Sequence, residues 1–330
     1  MLKTEIAELM NKDSVMYEVA QKVEYKLNLT AEEREVSEVC DAWAREIGEK
    51  GMDNDHEIAA YIKRTVVDEV YNAPDELLDR MFDRGTIGEF DDSETQREAK
   101  NTLVAYEAAK GGNVDKSWID FSALVPTYKN RQVETDISYV DLRKNGFKSI
   151  AKLTTFGKEA LYNALFYDVF GAVDAAITGG EQKIDVSGAV PTITAMDALE
   201  LYLTERDPNA VAVCLTKYAQ AIGRMDGFHQ YMSDAMKDNF NRYGLVETFG
   251  RMGIASIASA HKQGNGDLLI PDKRIFGIAG KIGTLDMKGD LHVFETLDNN
   301  KEAVNIKIAD FTYGYAISKI ENVAKIVFAQ

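Results

Sequence analysis

Residues 155–180 read TFGKEALYNALFYDVFGAVDAAITGG. The large apolar side chains are Phe156, Leu161, Leu165, Phe166, Val169, Phe170, Val173 and Ile177. Nearly all are spaced by three, four or five, so at 3.6 residues per turn they form one broad stripe. Thr155 is placed to cap the start, Glu159 falls in the first turn, and Gly179-Gly180 supplies the stop. The spacing predicts a single helix about 35 Å long at 1.5 Å per residue, as long as a small domain is wide. Everything else in the chain is read by what this helix supports.

Immediately upstream, Val133, Thr135, Ile137 and Tyr139 alternate with polar residues, and Phe147, Ile150 and Leu153 follow Arg143-Lys144-Asn145-Gly146. Asn-Gly is the usual two-residue hairpin signal because both positions tolerate positive φ. The pattern predicts a β-hairpin over 133–153 with polar flanks, which needs a surface beyond its own chain. The candidate subunit-contact residues are Val133, Thr135, Ile137, Tyr139, Arg143, Lys144, Asn145, Gly146 and Phe147.

Downstream, strand and helix patterns alternate. Helices are expected over 194–205 and 217–225. The apolar run Ala210 to Leu215 (AVAVCL) reads as a strand buried on both faces. Residues 226–250 are polar, aromatic and Gly-punctuated, with a helix expected over 230–242. Further strands are expected at 254–260, 275–279, 313–318 and 323–328, and a hairpin joins 291–297 to 304–308 around Asp298-Asn299-Asn300.

The N-terminal third is different material. Residues 1–100 hold 26 Asp and Glu against 13 Lys and Arg, so most of the net charge of −16 lies there. Helical spacing runs from Thr4 to Leu29. Thr30 and Glu33 form a capping box for a helix through about Ile47, closed by Gly48 and Gly51. More helices are expected over 55–71, 75–82 and 92–110. The charged N-terminus reads as neither signal peptide nor membrane span. The acidity argues against phosphate-backbone binding as the main task. Cys40 and Cys214 read as buried, unpaired thiols.

Motifs that carry chemistry are sparse: there is no phosphate loop, nucleophile elbow or paired-His zinc helix. Gly277, Gly280 and Gly283 lack the strand–turn–helix setting of a dinucleotide fingerprint and read as turn and packing glycines. His56, beside Asp53, Asp55 and Glu57, does not fit the calcium-loop spacing. His229 and His261 have no evident third ligand. The aromatics Phe228, Tyr231, Phe240, Tyr243 and Phe249, interleaved with Arg224, Lys237, Arg242 and Arg251, suit either base stacking or, the reading preferred, packing within the chain or onto a neighbour. No catalytic, cofactor-binding or metal site is assigned.

The order of parts resembles the major capsid proteins of tailed bacteriophages, the Hong Kong 97 type. The resemblance spans residues 118–330. It is carried by VETDISYVDLRKNGFKSIAKL (133–153) before TTFGKEALYNALFYDVFGAVDAAI (154–177), then NAVAVCLTKYAQAIGRM (209–225), LLIPDKRIFGIAGKIGT (268–284) and IADFTYGYAISKIENVAKI (308–326). It implies an α+β fold with a helical acidic arm or scaffold-like segment at 1–117 and an extended loop at 118–154. A peripheral domain with the spine helix follows at 155–193, then an axial domain at 194–274 and return strands at 275–330. It also implies a virion protein made in the host cytoplasm that self-assembles into hexamers and pentamers around double-stranded DNA. Portal, scaffold or decoration proteins are the further partners it implies, with no cofactor and no membrane. Some relatives crosslink a loop Lys to a neighbour's Asn; Lys144 or Lys148 is the matching donor here, but no acceptor matches and no crosslink is expected. Two alternatives stay open: an encapsulin-like compartment shell, and a cytoplasmic α/β enzyme with a helical regulatory domain.

Overall fold

The computed structural model describes residues 15–24, 27–50, 57–63, 75–91, 96–100, 120–124, 126–225, 246–263, 265–298 and 302–329, with isolated positions between 103 and 117 and between 228 and 241. In chain order these include helices α1 (Val15–Glu24), α2 (Ala31–Lys50) and α3 (Glu76–Met81), then strands β1 (Phe82–Ile87), β2 (Gln96–Lys100), β3 (Asp120–Leu124) and β4 (Thr127–Ser138). Helices α4 (Tyr139–Asn145) and α5 (Phe147–Ala176) follow, then β5 (Lys183–Val186), α6 (Ile193–Thr204), β6 (Val211–Leu215) and α7 (Thr216–Gly223). The chain closes with β7 (Thr248–Phe249), β8 (Met252–Ile257), β9 (Arg274–Ile278), β10 (Gly283–Lys288), β11 (His292–Asp298), β12 (Ala303–Ile317) and β13 (Val323–Phe328).

Two sheets share α5. In the five-stranded sheet β12 is the axis. One of its edges pairs with β11 and then β10, and β4 runs antiparallel along the other. The register breaks between Ile308 and Phe311, where Asp310 takes φ +64°. The six-stranded sheet has the order β5-β13-β9-β6-β8-β7. Its inner strand β6 is buried at all five residues, as a run without polar positions requires. Thus β10 to β12 build one sheet and β13 returns to the other.

At 30 residues, α5 spans about 45 Å. Its first half crosses the five-stranded sheet closely enough that a Cβ on Gly157 would lie 2.8 Å from Ile308 Cδ1. Its last turns meet the six-stranded sheet. Phe170 packs on Phe276 at 5.6 Å, and Asp174 accepts Lys325 Nζ at 2.7 Å and Arg274 Nε at 3.3 Å.

The spine helix therefore exists, but it starts eight residues before the expected Thr155. Thr155 sits inside it, donating its hydroxyl to the Ala151 carbonyl at 3.1 Å, and Glu159 is well past the first turn. The reason is that 133–153 is not a hairpin. Alternation is genuine only through Ile137. The Ser138 hydroxyl then accepts the Val140 N–H at 3.1 Å and opens α4. Leu142, Phe147, Ile150 and Ala151 are buried from successive helical turns. Gly146 does take positive φ (+59°), but at the junction of two helices.

The N-terminal third is also not wholly helical, since β1 joins β10 in parallel and β2 pairs with β3 in a two-stranded ribbon. The helix expected over 92–110 is thus a strand at 96–100. The capping box is present: Glu33 accepts the Thr30 N–H at 2.9 Å and Thr30 Oγ1 accepts the Glu33 N–H at 3.3 Å. Gly48 does not end α2. It lies inside the helix, where a Cβ would approach Arg143 Cγ at 2.9 Å, so it permits α2 and α4 to touch. Trp43, Tyr61 and Phe147 form an aromatic knot with centroids 5.5 to 6.4 Å apart, seating these helices on the start of α5.

Candidate subunit-contact surface

The nine residues expected at a subunit contact divide three ways. Ile137, Gly146 and Phe147 are buried within the chain. Val133 and Thr135 are half-buried and, with Ile137, line one wall of a groove of about 500 Å³ whose other wall is Leu153, Phe156 and Gly157 of α5. Arg143, Lys144 and Asn145 are exposed on the last turn of α4, and half-buried Tyr139 donates its N–H to the Glu302 carbonyl at 3.1 Å. The expected ribbon thus lies against its own chain: its strand found a partner in β12, some 170 residues on.

Alternation puts Glu134 and Asp136 on the opposite face of β4, where both accept from Asn305 Nδ2, at 3.0 and 2.9 Å. Nearer its start, β4 is fastened from below. Asp168 of α5 is almost fully buried and accepts Lys129 Nζ at 2.7 Å, Arg131 Nε at 3.0 Å and the Tyr313 hydroxyl at 2.5 Å. Burial would raise the Asp168 carboxyl, but the donors from Arg131, Lys129 and Tyr313 outweigh it and hold the group below its ordinary value. Burial pushes the Tyr313 hydroxyl up. Three elements far apart in sequence are tied at one carboxylate. The outer edge of β4 pairs with no described strand, leaving a 12-residue row of backbone groups at the rim.

Large apolar side chains are exposed elsewhere too. Phe90, in the turn after β1, is 93% exposed, and Leu103 and Val104, between the ribbon strands, are each 55% exposed. Sequence reading passed over them because Leu103 and Val104 sat within an expected helix and Phe90 is a lone aromatic among acidic residues. The two-stranded ribbon of the structure is β2–β3, upstream of the expected one.

Other candidate chemistry falls away or lies outside the described residues. Burial pushes the Cys40 and Cys214 thiols up to about 12, against nucleophile behaviour. His56, His229, Tyr231, Phe240 and Tyr243 lie outside the described residues, while Phe228 and Phe249 stack at 5.1 Å inside the core. Gly277 sits in β9, and Gly283 in β10 is pressed against β12, both being positions where a Cβ would collide with a neighbour. Among the described residues no group of three His, Cys, Asp or Glu side chains is placed to hold a metal, and no helix is long and apolar enough to cross a membrane.

No protein-family model matches the chain, and no curated protein sequence does. Solved structures do match. The capsid structure of cyanophage P-SCSP1u superposes with a TM-score of 0.54 at 11% identity, covering 77% of this chain and 88% of that one. A structure of Gordonia phage Cozz gives 0.53 at 11% identity over 76% and 85%, and one of Microbacterium phage Oxtober96 gives 0.51 at 11% over 75% and 89%. At such identity the likeness is one of architecture, and the chain has the α+β fold of phage capsid structures of the Hong Kong 97 type.

Proposed function

We propose that the chain is a structural subunit of a tailed-phage head, self-assembling into hexamers and pentamers that close an icosahedral shell around double-stranded DNA. The observation that carries this reading is the fold likeness extending over 88% of the cyanophage P-SCSP1u capsid chain. In this reading the protein works by contact area rather than by catalysis. Its site is the virion, it is made in the host cytoplasm, and portal, scaffold or decoration proteins are its further partners.

The reaching element is the β2–β3 ribbon together with the exposed turn at Phe90. A two-stranded ribbon is marginal alone in water, and no third described strand joins it. A neighbouring subunit supplies the missing surface, and the groove between β4 and α5 is a receiving face of suitable size. Asn145 lines that groove as a rim contact, with Arg143 and Lys144 exposed on the same last turn of α4. The peripheral part is α5 with the five-stranded sheet, and the axial part is α6, β6, α7 and the strands beside them.

Size-exclusion chromatography and electron microscopy of the purified chain test the reading. Rings of five or six, or closed particles, are expected. A small oligomer that never forms rings or shells at any concentration, and that binds a small molecule in one of its clefts, overturns it.

A further inference from the structure

Two outer surfaces of α6 and α7 match each other in charge, spacing and apolar content. α6 and its C-cap turn Thr194, Asp197, Ala198, Leu201 and Glu205 to solvent, positions three or four apart on one helical face. Leu201 is 63% exposed at the middle of that face. Asp197 and Glu205 flank it and pair with no described residue. Nearby Arg206 does not neutralise the face, because it folds back over the Tyr202 ring at 3.7 Å and donates to the Tyr202 carbonyl.

The second surface is a groove of about 530 Å³ where the approach to α6 meets α7, lined by Val190, Ile193, Lys217, Ala221, Arg224 and Met225. Val190 is 57% exposed there. Lys217 and Arg224 stand seven residues apart on the same side of α7 with Ala221 between them. Lys217 is shared with Asp272, whereas the Arg224 guanidinium has no described partner. The acidic pair spans about 12 Å and the basic pair about 10 Å along their helices. One surface is acid–leucine–acid and the other is base–small apolar cleft–base.

We propose that the outer face of α6 in one copy seats in the α6–α7 groove of the next, Leu201 entering the cleft and Asp197 and Glu205 meeting Lys217 and Arg224. The two surfaces use different residues, so the contact is head-to-tail and repeats around a ring where the rotation closes. It rests on the reading of the chain as a shell subunit and adds the contact that sets the order of subunits around the ring axis. Exposed ion pairs contribute little affinity. Their part is register and encounter rate, while the leucine and cleft supply the buried area.

Charge reversal tests it on the full chain. Glu205→Arg and Arg224→Glu should each lower ring and particle yield at least tenfold, scored by sedimentation velocity and electron microscopy. The melting temperature of the unassembled chain should not change, because neither side chain has a described partner. The double variant should recover assembly, and an equimolar mixture of the two single variants should recover rings of six, in which the variants can alternate. Wild-type rings together with unimpaired single variants overturn this contact and leave the shell reading standing. Impaired single variants that neither the double variant nor the mixture restores also overturn it. A wild-type chain that stays monomeric throughout sinks both.

Discussion

The carboxylate of Asp41, on α2, accepts the backbone N–H of Phe147, the first residue of α5, at 2.9 Å. A helix start needs an acceptor for its free N–H groups, and Gly146, which precedes it, has no side chain to offer one. The cap comes from 106 residues earlier in the chain. Asp41→Ala should cost about 1 kcal/mol, in line with lost caps elsewhere. Gly146→Ala should cost more, since it combines φ +59° with a Cβ that would lie 2.5 Å from Asp41 Oδ1. Urea denaturation of the two variants measures both effects. Equal stability of Asp41→Ala and wild type contradicts the cap.

Asp168 gathers Lys129, Arg131 and Tyr313 around one buried carboxylate. Asp168→Asn should cost about 2 kcal/mol, less than a fully enclosed pair because Lys129 and Arg131 are each about one-third exposed. The folded carboxyl lies below its ordinary value, so its contribution is complete above the unfolded pKa near 4 and is lost as pH falls through the folded value. The stability gap between wild type and Asp168→Asn should therefore shrink on titration from pH 6 to pH 2. A gap that stays constant over that range rules out the ionised carboxylate as the source.

Asp286 in β10 is the opposite case. It is 6% exposed, lies beside Gly85 and Gly314 on the adjoining strands, and has no described partner, so burial alone raises its carboxyl. A raised folded value means that the charged form opposes folding above that value and the penalty is relieved as pH falls through it. Asp286→Asn should stabilise the chain by about 1 kcal/mol at neutral pH, with the gain vanishing in acid. Thermal melts of both proteins at pH 8 and pH 4 decide the matter, and destabilisation at pH 8 would refute the assignment.

Phe90 offers a solubility test of the assembly surface. Because it is 93% exposed, Phe90→Ser should leave the unfolding free energy within about 0.5 kcal/mol of wild type. It should lower the yield of rings and particles. A variant that assembles normally excludes Phe90 as an anchor between copies.

Local patterns were legible where one stretch of chain determines its own state. AVAVCL reads as a doubly buried strand and is one, the Thr30–Glu33 pair forms both of its hydrogen bonds, and the 291–308 hairpin pairs as its spacing requires. The α+β layout around one long helix was legible for the same reason. Choice of partner was not. The alternation at 133–137 names a strand without naming β12, which lies beyond five strands of the other sheet in sequence. Asn145-Gly146 announces positive φ, and both a hairpin and a helix–helix junction satisfy it. Gln96–Lys100 (QREAK) holds good helix formers, yet it is paired with Asp120–Leu124, so pairing overrode intrinsic preference. The subunit-contact residues were read on a hairpin, and the structure distributes them over β4, α4 and the start of α5 instead. The α6 and α7 surfaces were hidden because neighbouring charges on a helix usually mean only a solvated face.

Six residues apart in the last third of the spine, Asp168 fastens it to the five-stranded sheet and Asp174 to the six-stranded one. Twisting one sheet against the other would strain both groups of ion pairs, so this part of the spine resists relative movement of the two sheets. If the chain tiles a shell as proposed, a change of curvature falls on the ribbon and on the seams between copies.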